Sequence, residues 1–217
     1  MMYKTAIFDL DGTILDTLDD LADAVNFTLS SHGYPTRRLE EIRRFVVNVI
    51  RSLISLSLPS GEETPDFEKI LDDFRVYYAA NAQVKTAPYA GMRELLAHLR
   101  EAGVRVAVVS NKFETAVQSL CRDFFGDLVE VAVGDAPDRA RKPAPDGVYA
   151  ALAALGEEKE NAVLIGDAET DVQTARAAGI PCISVLWGFR DRARLTEVGA
   201  SCFAETVGEL EKMLLGA

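Results

Sequence analysis

The stretch Thr5-Ala6-Ile7-Phe8-Asp9-Leu10-Asp11-Gly12-Thr13 decides the reading of this chain. A short β-branched and apolar run reads as a buried strand, and it stops abruptly at an acid, a second acid two residues on, and a glycine. Val104 to Val109 and Ala162 to Ile165 end at Ser110 and Gly166, Val129 to Val133 ends at Gly134, and Cys182 to Leu186 reaches Gly188 after one tryptophan. Helix-period stretches alternate with them: Met92 to Ala102, Val148 to Leu155 and Val172 to Ala178, each stopped by a glycine that suits a helix C-terminus. Strands alternating with such helices predict parallel βα units.

Between the first and second strands, from about Asp16 to about Ala87, the chain is far too long for one crossover and shows no strand pattern. Leu18, Leu21, Ala22, Val25 and Leu29 make one helical stripe, and Phe67, Ile70, Leu71, Phe74 and Tyr78 another, with a polar break from Leu58 to Pro65. The expected fold is α/β: a Rossmann-like parallel sheet with an inserted helical domain, residues 1–15 and 86–217 forming the core and 16–85 the insertion.

The composition narrows the function classes. Over 217 residues, 34 acidic against 23 basic side chains leave a formal charge of −11, with 48% hydrophobic and 26% charged residues. That is the make-up of a globular chain, not of a disordered tail or a membrane protein. No apolar run is long enough to span a bilayer, and the N-terminus does not read as a signal peptide, so the expected location is cytoplasmic. A phosphate backbone would repel so acidic a surface, so neither nucleic acid nor membrane is an expected partner. Cys121, Cys182 and Cys202 are odd in number and set in apolar sequence, which predicts core residues and not disulfides. His32 and His98 stand at helix ends with no partner in view and read as surface residues.

The chemistry collects at the C-terminal ends of the strands, the edge where open parallel sheets bind ligands. Asp9 and Asp11 follow the first strand, Ser110-Asn111-Lys112 the second, Lys142-Pro143 the third, and Gly166-Asp167 with Asp171 the fourth. Carboxylates crowded together repel unless a cation intervenes, so Asp9, Asp11 and Asp167 imply a divalent metal, and an all-oxygen set favours Mg²⁺. Mg²⁺ held by few carboxylates suits a site that processes phosphate. A carboxylate such as Asp9 can attack phosphorus to form an acyl phosphate, while Asp11 protonates the leaving oxygen. Lys142, Ser110 and the backbone N–H of Asn111 suit the transferring phosphoryl oxygens, since such chemistry is mainly positioning and charge stabilisation. Asp171 lies about one helical turn past Asp167, where it could orient Lys142 or metal-bound waters. Lys112 reads equally as a solvated loop lysine or a site residue, and Arg51 equally as a surface arginine or a ligand for a substrate carboxylate. Trp187 and Phe189 read as packing residues outside the site.

These residues resemble the haloacid dehalogenase-like hydrolases, specifically the branch with a helical cap after the first strand. Asp9-Leu10-Asp11-Gly12-Thr13, Ser110-Asn111, Lys142-Pro143 and Gly166-Asp167-Ala168-Glu169-Thr170-Asp171 match the family's motifs in order, and the resemblance covers essentially the whole chain. It implies Asp9 as nucleophile, Asp11 as acid and base, and Ser110, Asn111 and Lys142 as phosphate binders. Mg²⁺ would bind to Asp9, Asp167 and the backbone carbonyl of Asp11, with Thr13 and Asp171 in support. Val109-Ser110-Asn111-Lys112, Leu186 to Arg190 and Leu39 to Val46 look like the phosphoglycolate phosphatases, although Val47 and Val49 stand where that group has glycines in its cap loop. The family's sugar-phosphate mutases carry a histidine where this chain has Leu21, and its dehalogenases lack an acid at the position of Asp11. The resemblance thus implies a Mg²⁺-dependent phosphomonoester phosphatase acting on a small phosphorylated metabolite, best 2-phosphoglycolate, as a monomer or homodimer. The alternatives are a pyrophosphatase, a sugar-phosphate phosphatase or mutase of the family, and a phospho-aspartate signalling module.

Overall fold

A computed structural model describes residues 3–46 and 50–216. In chain order the elements are β1 (Thr5–Phe8), β2 (Leu15–Asp16), α1 (Leu18–Ser31), α2 (Leu39–Phe45), α3 (Ile50–Ser57), α4 (Phe67–Asn81), β3 (Ala87–Pro88), α5 (Met92–Glu101) and β4 (Arg105–Phe113). There follow α6 (Glu114–Phe125), β5 (Val131–Asp135), α7 (Asp146–Leu155), β6 (Ala162–Gly166), α8 (Glu169–Ala178), β7 (Cys182–Val185), α9 (Arg192–Glu197), β8 (Phe203–Ala204) and α10 (Val207–Leu215). The chain divides into two compact units, Met1–Leu15 with Pro88–Ala217, and Asp16–Ala87.

The first unit is built on a six-stranded sheet in the order β5-β4-β1-β6-β7-β8, parallel throughout. Every residue of β1 is buried, as expected of a central strand covered on both faces. Its side chains alternate: Ala6 and Phe8 join a core with Leu95, Leu99, Val117, Leu120 and Leu210, from α5, α6 and α10. Ile7 faces the opposite core, with Val148, Leu152, Ala175 and Ala178 from α7 and α8. The same alternation puts Val106 and Val108 on the first side and Ala107 and Val109 on the second.

Strand order reverses beside β1, because the chain builds β4 and β5 to one side and β6, β7 and β8 to the other. A crevice opens at such a switch point beyond the carboxyl ends of the strands. β1, β4 and β6, which carry Asp9, Ser110 and Asp167 at their ends, are the strands that meet there.

The structure differs from the sequence reading in particular places. β4 runs on through Ser110, Asn111 and Lys112 to Phe113, with a register shift against β5 between Val109 and Phe113. Polar residues that read as a loop are thus carried on a bulged strand end. β8 was not expected at all, since a two-residue strand has no periodicity to read. The cysteines are free, but only Cys121 is buried, Cys182 and Cys202 being half-buried. Both histidines have partners: His32 Nε2 lies 2.9 Å from Asp73 Oδ2, and His98 Nδ1 lies 2.7 Å from Glu211 Oε1.

The second unit is helical. α1 packs on α4 and α2, and buries Leu21, Val25 and Leu29, while α4 buries Ile70, Leu71, Phe74 and Tyr78. Asp20 on α1 is buried and accepts hydrogen bonds from the Lys85 and Thr86 N–H groups and the Thr86 hydroxyl at 2.8–3.0 Å. The carboxylate ties the end of the unit to its first helix. Val47 and Val49, at which the chain departs from the phosphoglycolate phosphatase pattern, lie outside the described residues.

Candidate active site

Asp9 follows β1, and its N–H continues the ladder to the Ile165 carbonyl at 2.8 Å, so its side chain starts from an interior strand of the sheet. The next residues close a tight turn in which the Leu10 carbonyl accepts from the N–H groups of Ile14 and Leu15 at 3.1 and 3.0 Å. Gly12 makes this turn at φ +84°, and a Cβ there would stand 2.4 Å from Asp167 Oδ2. The glycine is needed both for the backbone and for the room it leaves the carboxylate.

Lys142 is the hub. Its ammonium lies 2.6 Å from Asp9 Oδ1 and 2.6 Å from Asp171 Oδ1, and all three side chains are buried. Its backbone is held by the Asn111 carboxamide in both directions: Asn111 Oδ1 accepts from the Lys142 N–H at 2.8 Å, and Nδ2 donates to the Lys142 carbonyl at 3.0 Å. Asp171, at the start of α8, also accepts from the Ala168 N–H at 3.0 Å. Its contact with Lys142 is direct.

Asp167 is 1% exposed and accepts from the Thr13 hydroxyl at 3.1 Å and the Phe189 N–H at 2.7 Å. That second contact corrects the reading of the segment after β7. Trp187 Nε1 donates to the Thr13 carbonyl at 3.0 Å, and the backbone at Phe189 holds Asp167, so the loop is part of the site's wall. Two aromatics flanking Gly188 past a strand end, within the stretch Leu186 to Arg190 that resembles the phosphoglycolate phosphatases, are the signal of this in the sequence.

Asp9, Asp167 and Asp171 each present a carboxylate oxygen within 4.8 Å of the others. Burial pushes the Asp9 carboxyl well above the usual carboxylate range; Lys142 pulls it down, but Asp171 and Asp167 push it up again. Burial, and then the charge of Asp171, lift Asp167 to about 7 against the lowering effect of the Phe189 and Thr13 hydrogen bonds. Burial works against the charged form of Lys142, yet Asp171 and Asp9 outweigh it and raise its pKa. Packed anions of this kind could hold a hard cation, and the oxygen-only donors of Asp9, Asp167 and Asp171 fit Mg²⁺. The Asp171 carboxylate joins those of Asp9 and Asp167 in this cluster. The Asp11 carboxylate is occupied by Lys112, whose Nζ lies 2.9 and 3.2 Å from its two oxygens. Lys112 is therefore no solvated loop lysine.

Ser110 is buried, and its Oγ accepts from the Lys112 N–H at 3.2 Å. The structure thus brings Asp9, Asp11, Ser110, Asn111, Lys142, Asp167, Asp171 and Thr13 together in the first unit. Arg51 belongs to the second unit and has other business there: its guanidinium lies 2.6 Å from Glu62 and 2.7 Å from Glu68, and 4.8 Å above the Phe67 ring. Two carboxylates already satisfy the fork expected to receive one from a substrate.

Comparison with known proteins agrees with this arrangement. The family model described as haloacid dehalogenase-like hydrolase matches residues 6–185. The phosphoglycolate phosphatase of Pseudomonas syringae pv. tomato is 31% identical over 98% of this chain and 79% of its own length. That of Cereibacter sphaeroides is 36% identical over 85% of each. The crystal structure of a candidate phosphoglycolate phosphatase from Lactobacillus delbrueckii subsp. bulgaricus superposes with a TM-score of 0.94 at 35% identity, covering 100% of both chains. With its carboxylates and lysine gathered at the switch point of a parallel sheet, this chain belongs to the haloacid dehalogenase-like hydrolases, among that family's phosphatases.

Proposed function

We propose that this phosphatase hydrolyses 2-phosphoglycolate to glycolate and phosphate, using Mg²⁺ and passing through a phosphoryl group carried on Asp9. The observation that carries the reading is the buried cluster of Asp9, Asp167 and Asp171 with Lys142 bound between two of its members. The relatives named as phosphoglycolate phosphatases support the choice of ester.

Asp9 is the nucleophile. Its Oδ1 is held by Lys142, which fixes the carboxylate while a bond forms from Asp9 to phosphorus and the ester P–O bond breaks. Asp11 gives its proton to the departing glycolate oxygen, then takes one from the water that attacks the phosphoryl group and regenerates Asp9. Ser110 Oγ, the Asn111 N–H and Lys142 Nζ hold the phosphoryl oxygens. Asp9, Asp167 and the Asp11 carbonyl would hold the metal, with Asp171 and Thr13 in support. When bound, Mg²⁺ offsets the negative charge of the carboxylates and of the phosphoryl oxygens. The helical unit serves as the cap.

Phosphate release from 2-phosphoglycolate, sugar phosphates, nucleotides and pyrophosphate, with Mg²⁺ and with a chelator, tests this. Metal-dependent release greatest on 2-phosphoglycolate is expected. A maximum on another ester overturns the substrate. No release from any, with a phospho-aspartate that persists for minutes, overturns hydrolysis in favour of signalling.

A further inference from the structure

We propose that Lys112 recognises a carboxylate on the substrate, making it a specificity residue that resides in the sheet unit and selects short phosphorylated hydroxy acids over esters without an acid group. This rests on the reading of the site as a phosphomonoester hydrolase.

The cations at this edge are not equivalent. Lys142 already faces Asp9 and Asp171. Arg139 is paired with Glu114, and Arg141 lies 2.5–2.7 Å from both oxygens of Asp135, each holding its own loop. Lys112 differs from the two arginines in that its anionic partner, Asp11, is itself a site residue. The lysine side chain is 11% exposed, far less than is usual for lysine.

The backbone explains why it is there. β4 loses its regular register with β5 after Val109, and the Lys112 N–H is tied to Ser110 Oγ. Gly134 on β5 comes so close that a Cβ would lie 2.7 Å from the Lys112 carbonyl oxygen and 2.3 Å from Glu114 Cα. A side chain at 134 would push the bulged strand end away, and with it the ammonium.

Two facts then select the ligand. Asp11 must meet the ester oxygen to protonate it, and Lys112 Nζ stands 2.9 Å from Asp11 Oδ1. In a two-carbon acid a single CH₂ separates the ester oxygen from the carboxylate, so a ligand whose oxygen meets Asp11 places its carboxylate beside Lys112. Charge points the same way: among the contacts above, Asp9 and Asp171 face Lys142, and Asp11 faces Lys112. A further anion is accepted only where a cation can be shared, and the ammonium's donors can divide between Asp11 and a substrate carboxylate.

The test compares 2-phosphoglycolate with ethyl phosphate, which keeps the ester and replaces the carboxylate by a methyl group, on wild type, Lys112→Met and Lys112→Arg. The wild type should favour 2-phosphoglycolate. Lys112→Met should lower its kcat/KM on 2-phosphoglycolate on the order of 10- to 100-fold, mainly through KM, and collapse the preference between the two esters. Removing the ammonium and removing the carboxylate are then non-additive. Lys112→Arg should restore part of the preference. Equal losses on both esters would overturn the proposal, leaving Lys112 as a positioning residue for Asp11. So would a wild type that turns over both esters equally, a comparison that needs no variant and leaves the hydrolase reading standing. A wild type inert on both overturns that reading, and the proposal with it.

Discussion

Lys142 shares one ammonium between Asp9 and Asp171, and the balance of charge around it sets the behaviour of each acid. Asp9→Asn keeps the size of the side chain and the contact with Lys142 but removes the nucleophilic charge. Its kcat should fall more than about 1,000-fold while thermal unfolding stays cooperative at or above the wild-type Tm. Activity near wild type would remove Asp9 from the proposed role. Gly12→Ala tests the crowding at Asp167. The φ of +84° and the 2.4 Å approach to Oδ2 should cost about 1–3 kcal/mol in urea unfolding, and Mg²⁺ titration should show weakened binding. An alanine variant of unchanged stability and metal affinity would mean that the turn has more room than the structure gives it. At this scale the sequence named the acids from their places at strand ends. It left open what each acid touches, because the partners come from residues more than a hundred positions away: Asp11 with Lys112, Asp167 with Thr13.

Among the elements, the long strands and amphipathic helices were legible because their patterns repeat every two or 3.6 residues within one segment. β8 had no such pattern and exists because β7 offers it an edge, with the Ser184 N–H donating to the Cys202 carbonyl. The continuation of β4 through Ser110-Asn111-Lys112 was likewise invisible, since a bulge interrupts the alternation that would announce it. Within the helical unit, α1 carries a prediction. Asp20→Ala leaves the Lys85 and Thr86 N–H groups and the Thr86 hydroxyl without their acceptor, and should destabilise that unit by about 2–4 kcal/mol. Hydrogen exchange should speed up at residues 85 and 86 before it does in the sheet. Unchanged protection there would show that the carboxylate is dispensable.

For the molecule as a whole, the raised carboxyl groups make stability depend on pH and metal together. In the metal-free protein Asp9 lies above its unfolded value, and Asp167 moves from 3.8 to about 7, because burial and neighbouring acids penalise the charged form. The folded state therefore binds protons more tightly than the unfolded one, so the stabilisation is present in full below the unfolded value and is lost as pH rises through about 7. With a chelator, Tm should fall between about pH 5 and pH 8; Mg²⁺ binds the ionised carboxylates, so the Tm it adds should grow over the same range. Asp167→Asn should flatten the first slope and remove most of the second effect, and a wild-type Tm independent of both would contradict the crowding. The class of fold, the helical insertion and the acids, serine, asparagine and lysine at strand ends were readable from the chain alone, because periodicity, helix stops and strand termini are local properties of a chain. That β1 lies between β4 and β6, that the loop after β7 holds Asp167, and that Lys112 belongs to Asp11 emerged with the folded arrangement. Strand order, burial and the partner of a charge are settled by distances in space between residues remote in sequence, which no local pattern records.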